Sequence, residues 1–205
     1  TKLWHYYIFN IYTRLNMLKA ELRNTYKEKR ILLSSVEKNK LDDLLLIQFQ
    51  QLPIDIPAMI MTYAPFEKYN EFDPQLITDY CYFKNPSQAL FYPIINEIDD
   101  TMSCDIVNDE TTFKLNKYGI AEPVDGLPLF PEEIDLILVP LLAFDTYGYR
   151  VGYGKGYYDK FLKECREDLV KIGFSYFDPV DVIDDINAFD VKLTYCITPN
   201  ANFTF

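Results

Sequence analysis

Residues 135–162, DLILVPLLAFDTYGYRVGYGKGYYDKFL, constrain this chain more than any other stretch. The apolar run Leu136, Ile137, Leu138, Val139 is short and branched, as a buried strand requires. A loop follows with Gly148, Gly152, Gly154 and Gly156, four of the seven glycines in the protein. Then Tyr158, Phe161, Leu162 and Cys165 recur at i, i+3, i+4 and i+7, which predicts a helix over 157–165. A strand, a glycine loop and a helix start together make a geometry that collects phosphate. Glycine lets backbone N–H groups approach an anion, and the first helical turn adds unpaired donors.

Two familiar phosphate loops are excluded. A P-loop has four residues between its first glycine and the Gly-Lys pair, then Ser or Thr; here five separate Gly148 from Gly154-Lys155, and Gly156 follows. The dinucleotide fingerprint G-x-G-x-x-G is replaced by G-x-G-x-G. The loop and helix start, residues 145–163, hold Arg150, Lys155, Lys160 and Lys163 against Asp145 and Asp159. A basic glycine loop in a chain of net charge −11 points to a specific anion site and away from a general polyanion surface. The same charge argues against nucleic acid as a partner.

At 205 residues and 49% hydrophobic content, the chain suits one globular domain, with no apolar run of 18 residues to suggest a membrane span. Cys81, Cys104, Cys165 and Cys196 are scattered without a C-x-x-C pair, so free thiols in a reducing cytosol are expected. Residues 1–16 hold the sole Trp and His (Trp4, His5) and precede Met17. They lack the layout of a secretory signal. The expectation is a non-native or disordered extension, with a mobile amphipathic arm as the alternative, and a domain from 17 to 205. An enzyme built this way works without histidine.

The rest of the chain alternates helix and strand. Leu15, Leu18, Leu22 and Tyr26 form one stripe of a helix over 17–37, and Lys19, Arg23, Lys27 and Arg30 put four cations on one side of it. That row is either a solvated basic face or a set of cations reaching toward a triphosphate. A second helix or helix pair is expected in the segment 38–56, ending before Pro53. Strands are expected at 58–63, 88–95, 169–175 and 195–198, with a helix opening at Asp73-Pro74. Glu71 lies in a strand-to-helix loop, where α/β folds place ligand groups. Residues 102–106 and 111–115 alternate and predict an antiparallel pair across Asn108-Asp109. The fold class expected is α/β, a single three-layer α/β/α domain with a mostly parallel sheet.

The central stretch resembles the signature of the 5-formyltetrahydrofolate cyclo-ligase family: a strand ending in V-P, then G-x-x-F-D, then G-x-R-x-G-x-G-x-G-Y-Y-D. The spacing from Asp145 through Arg150 to Asp159 is kept. Lys19-Ala20-Glu21-Leu22-Arg23 is similar to the family's K-x-x-L-R, and Tyr118-Gly119-Ile120-Ala121-Glu122-Pro123 to its G-I-x-E-P turn. The resemblance implies a cytoplasmic, monomeric enzyme that uses ATP and Mg2+ to close 5-formyltetrahydrofolate into 5,10-methenyltetrahydrofolate, acting on reduced folate, with no nucleic acid and no membrane. It implies phosphorylation of the formyl oxygen, attack by the folate nitrogen at position 10, and loss of phosphate. Lys19, Arg23, Arg150, Val151, Gly152, Tyr153, Gly154, Lys155, Gly156, Tyr157 and Tyr158 would meet the nucleotide, with Lys155, Arg150 and Tyr157 catalytic. Glu71, Tyr118 and Tyr157 would meet the folate, and Asp159 and Asp190 the metal. The family's Pro-x-x-x-His-Asp run is here Ile183 to Asp190 without the proline or histidine, which leaves Asp184 and Asp185 as alternatives to Asp190. A non-catalytic nucleotide- or folate-binding relative is the competing reading.

Overall fold

The computed structural model describes residues 17–96 and 98–205, so the extension expected over residues 1–16 falls outside the described residues. The apolar run at 136–139 is β7 (Leu136–Val139), with all four side chains buried. They alternate: Leu136 and Leu138 join Leu45, Phe49 and Ile77 on one face, while Ile137 and Val139 join Phe144, Tyr157 and Phe161 on the other. A strand buried on both faces belongs inside a parallel sheet. Around it stand β1 (Met59–Met61), β2 (Ala89–Asn96), β3 (Thr101–Val107), β6 (Leu127–Leu129), β10 (Val170–Phe174), β11 (Tyr195–Ile197) and β12 (Asn202–Thr204), in the order β12-β11-β10-β7-β1-β2-β3-β6. The five central strands from β11 to β2 run parallel, with Ile60 opposite both Leu90 and Leu136. The edges are antiparallel. The α/β expectation is met by a mixed, mostly parallel sheet with flanking helices.

Helices α2 (Ser35–Phe49) and α3 (Gln75–Lys84) cover one face through Leu45, Phe49, Ile77 and Cys81. The other face carries the short α4 (Tyr157–Phe161), packed with Met102 and Cys104 of β3. Helix α1 (Lys19–Ile31) lies over the loops leaving β7, its Leu22 and Tyr26 packed on Leu142, Ala143, Val151, Val180 and Ile183. Among the described residues no helix is long and apolar enough to cross a membrane. All four cysteines are free, and burial pushes the thiols of Cys81 and Cys104 up to about 12, far from a nucleophile's range.

Three expectations are corrected. The helix expected over 17–37 breaks at Leu32, because Ser34 opens α2 with a capping box: its side chain accepts from the Glu37 N–H while Glu37 accepts from the Ser34 N–H. The antiparallel pair across Asn108-Asp109 does not form. β3 is already bonded to β2 on one side and β6 on the other, so β4 (Phe113–Leu115) pairs with β5 (Ala121–Pro123) as a separate hairpin. The helix at 157–165 ends at Phe161, where Lys163 and Glu164 donate three residues back and tighten the chain into turns.

Candidate active site

The chain leaves β7 at Pro140 and folds into a two-strand hairpin, β8 (Ala143–Phe144) with β9 (Arg150–Val151), before the glycines begin. Asp145 sits in the hairpin turn with no exposed surface. Its Oδ1 accepts from the N–H groups of Tyr147 (3.0 Å) and Tyr149 (2.9 Å), and its Oδ2 from Ile183 (3.1 Å). One carboxylate therefore ties the hairpin to the 183–190 segment. Gly154 and Gly156 then take φ of 93° and 74°, a region costly for any residue with a side chain. A Cβ on Gly154 would stand 3.0 Å from Cζ of Arg23, so this glycine also lets α1 approach the loop.

These elements wall a cavity of about 580 Å3 at the carboxyl ends of β1 and β7, the location where open α/β sheets hold ligands. Its lining includes Lys19, Arg23, Lys155 and the loop from Gly152 to Gly156, and also Glu71 with the rings of Tyr63, Phe66, Tyr69 and Tyr153, over which Lys27 packs. Tyr118, Tyr157, Tyr158, Arg150, Asp159 and Asp190 also line it. Arg23 Nε donates to the Gly152 carbonyl at 3.0 Å. The Lys155 ammonium lies 5.8 Å from the centroid of Tyr118. Tyr157 donates to Asp100 Oδ1 at 3.2 Å; a hydrogen bond with Tyr118, burial and Asp100 together raise its phenol above the usual range.

Nearly every residue expected at the site thus faces one space, though Val151 does not. Its side chain is buried beneath the loop against Leu142 and Val180, where it supports the hairpin. Arg150 donates to Asp159 Oδ1 (3.1 Å) and to the Val191 carbonyl (2.7 Å), so both arms of its fork have a protein partner. Its burial lowers the guanidinium pKa, with Asp159 opposing. Lys19 Nζ reaches both oxygens of Asp190 at 2.6 and 2.5 Å. The alternatives Asp184 and Asp185 lie outside the cavity lining. Asp184 Oδ2 accepts from the Met17 N–H and Asp185 Oδ1 from the Lys19 N–H, both at 2.8 Å, where they satisfy donors at the start of α1.

Arg30 is the member of the cation row that the structure sets apart. It is buried and donates to the Leu141 carbonyl (3.1 Å), the Tyr69 carbonyl (3.0 Å) and the Tyr153 hydroxyl, with Glu71 Oε1 at 3.5 Å. Tyr153 in turn donates to Glu71 Oε1 at 2.7 Å, and the Phe66 N–H to Oε2 at 2.7 Å. Sequence reasoning placed Arg30 by charge; lying four residues after Tyr26 and eight after Leu22 puts it on the buried stripe instead.

Burial raises the Glu71 carboxyl above the ordinary glutamate range, with Arg30 and Tyr153 offsetting part of the rise. The folded state therefore binds this proton more tightly than the unfolded chain does. The resulting stability is complete below the unfolded value of about 4.3 and is lost as pH rises through the folded value. Denaturant titrations of wild type and Glu71→Gln between about pH 4 and 8 test this: the wild type should lose stability relative to the variant as pH rises, and parallel curves would refute the assignment.

The sequence model of the 5-formyltetrahydrofolate cyclo-ligase family matches residues 16–199. The chain belongs to that family. A relative from Mycoplasma pneumoniae named 5-formyltetrahydrofolate cyclo-ligase is 30% identical over 185 residues, which span 88% of this chain and 98% of its own. The mitochondrial 5-formyltetrahydrofolate cyclo-ligase of Arabidopsis thaliana is 27% identical over 181 residues, 77% of this chain and 65% of the plant protein. The solution structure of Aquifex aeolicus 5,10-methenyltetrahydrofolate synthetase matches with a TM-score of 0.75 at 30% identity, covering 92% of this chain and 93% of that one. The cyclo-ligase resemblance of the central stretch therefore extends over nearly the whole fold, and the chain is a member of a family of folate-directed ligases.

Proposed function

We propose that this protein converts 5-formyltetrahydrofolate to 5,10-methenyltetrahydrofolate with ATP and Mg2+, releasing ADP and phosphate. The observation that carries this reading is that one cavity is lined both by a cationic glycine loop and by aromatic rings around a buried acid. Lys19, Arg23, Lys155 and the amides of residues 152–158 receive the triphosphate. Glu71 accepts hydrogen bonds from the pterin, which stacks among aromatic rings, with Tyr118 and Tyr157 at its edge. The formyl oxygen attacks the terminal phosphorus and ADP departs. The nitrogen at position 10 then attacks the activated carbon, its proton passes to solvent, and phosphate leaves with the former formyl oxygen, closing the ring. Phosphoryl transfer of this kind depends on positioning and charge neutralisation, which cations and backbone amides supply without a histidine.

Among the described residues no three His, Cys, Asp or Glu side chains converge as a protein-only metal cage. Magnesium is a cation held by one or two carboxylates and the substrate's phosphates. Asp159 is the first candidate, since the hydrogen bonds it accepts fall on Oδ1 and its side chain is 27% exposed. Asp190 is the second, beside Lys19. Such a metal supplies neutralisation of phosphate charge. Reduced folate and ATP are the partners of a cytoplasmic monomer that engages neither nucleic acid nor membrane.

The test is an absorbance rise on mixing protein, 5-formyltetrahydrofolate, ATP and Mg2+. Nucleotide binding without any rise would favour a non-catalytic relative. Lys155→Ala should cut turnover by roughly tenfold, the worth of one charge-assisted contact at an exposed position, with an unchanged melting curve. Full activity in that variant would remove Lys155 from the site.

A further inference from the structure

One residue touches both sets of lining groups. Tyr153 stands in the glycine loop between Gly152, whose carbonyl accepts from Arg23 Nε at 3.0 Å, and Gly154, whose α-carbon lies against the Arg23 guanidinium. Its hydroxyl donates to Glu71 Oε1 at 2.7 Å and accepts from Arg30 Nη2. Its ring packs against Phe66 (centroids 5.3 Å apart) and Tyr69 (5.8 Å, stacked), which also touch each other. The peptide of Tyr153 thus belongs to the glycine loop, while its phenol belongs with the buried acid.

We infer that Tyr153 is a positioning residue that makes nucleotide and folate bind cooperatively, an inference that rests on the two-substrate reading above. The loop has glycine at 152, 154 and 156, and ordering such a backbone costs more conformational entropy than ordering any other. Whichever ligand arrives first bears that cost. A triphosphate on the loop amides fixes the Tyr153 peptide, which aims its hydroxyl and sets Glu71 for the pterin. A pterin on Glu71 fixes the same hydroxyl from the other end and sets the loop for phosphate. The second ligand meets an ordered site, so each raises the affinity for the other by the same factor. Arg30 is the brace: anchored on two backbone carbonyls, it holds the phenol oxygen and the acid in one chain of hydrogen bonds.

The experiment measures the dissociation constant of a non-hydrolysable ATP analogue with Mg2+, alone and with saturating 5-formyltetrahydrofolate, and then the reverse titration. In the wild type each ligand should tighten the other by about tenfold, equally in both directions. Tyr153→Phe keeps the ring and its packing and removes only the hydroxyl, so the factor should fall to within about twofold of one while both ligands still bind. A merely structural role would weaken binding and leave the ratio alone. If Tyr153→Phe fails to fold, Arg30→Lys replaces it as the test, since it keeps the charge beside Glu71 but loses the fork. A factor retained in the folded variant, or a wild type with no enhancement or a reduction, overturns the coupling. A wild type that binds neither ligand overturns the two-substrate reading, and the coupling with it.

Discussion

Asp145→Ala should lower the melting temperature by roughly 10 °C or more. The side chain is completely buried and has no cationic partner among the described residues; it is held by three backbone N–H groups, those of Tyr147, Tyr149 and Ile183. Removing it leaves those donors without acceptors, and each orphaned buried donor costs about 1–3 kcal/mol. The expected sum is about 4 kcal/mol or more, against a typical total stability of about 5–15 kcal/mol. For a chain this long, 1 kcal/mol corresponds to roughly 2–4 °C. Asp145→Asn retains one carbonyl oxygen and should lie between the two, because its amide must turn a donor toward one of the N–H groups. A thermal melt of the alanine variant within about 2 °C of wild type would show that water takes over these bonds. The same carboxylate joins the β8–β9 hairpin to the segment that ends at Asp190. The alanine variant should therefore also lose nucleotide affinity at temperatures where it remains folded.

What could be read from the sequence followed local spacing. The strand at 136–139 and the glycine loop were legible because alternation, branching and glycine act within a few residues. The bond from Asp145 to Tyr147 was readable in the same way, as an aspartate accepting two residues on. Its bond to Ile183, 38 residues away, was not. The cation row on α1 was legible as a row, but charge alone could not distinguish Arg23 at the cavity from Arg30 in the interior; the angular position beside Leu22 and Tyr26 could. The break between α1 and α2 was also written locally, in Ser34 and Glu37, and went unread because the charge pattern ran across it. β3 drew a wrong partner because pairing depends on which edge is already occupied, and β6, with Pro128 in an edge strand, gives only a weak signal. The placement of Asp184 and Asp185 was not legible for a related reason. Whether a carboxylate faces a ligand or caps a helix depends on where a remote N-terminus packs.

The second large effect concerns Arg150 and Asp159, whose pairing depends on a hairpin register and so was not visible in the sequence. Arg150→Met should reduce turnover by about a hundredfold, the loss seen when one fixed electrostatic donor is removed from a site, and should also destabilise the fold. The guanidinium is 4% exposed and Asp159 27%, so the two ends of the pair are unequal. Removing the arginine orphans the Val191 carbonyl and leaves a carboxylate that can turn to water, which keeps the cost at about 2–3 kcal/mol, below the 3–5 of a fully buried broken pair. Arg150→Lys should not rescue activity, because a point charge cannot bond Val191 and Asp159 together as the fork does. Asp159→Asn separates the structural role from the metal role. Its amide oxygen can still accept from Arg150 and from the Val191 N–H, so the stability loss should be about 1–2 kcal/mol. Its charge is gone, so the Mg2+ concentration for half-maximal turnover should rise severalfold. A magnesium titration of Asp159→Asn that superimposes on wild type would leave Asp159 as nothing more than the partner of Arg150. If instead the requirement rises while the melting temperature falls by no more than that modest loss implies, the carboxylate faces the metal and the arginine holds it there.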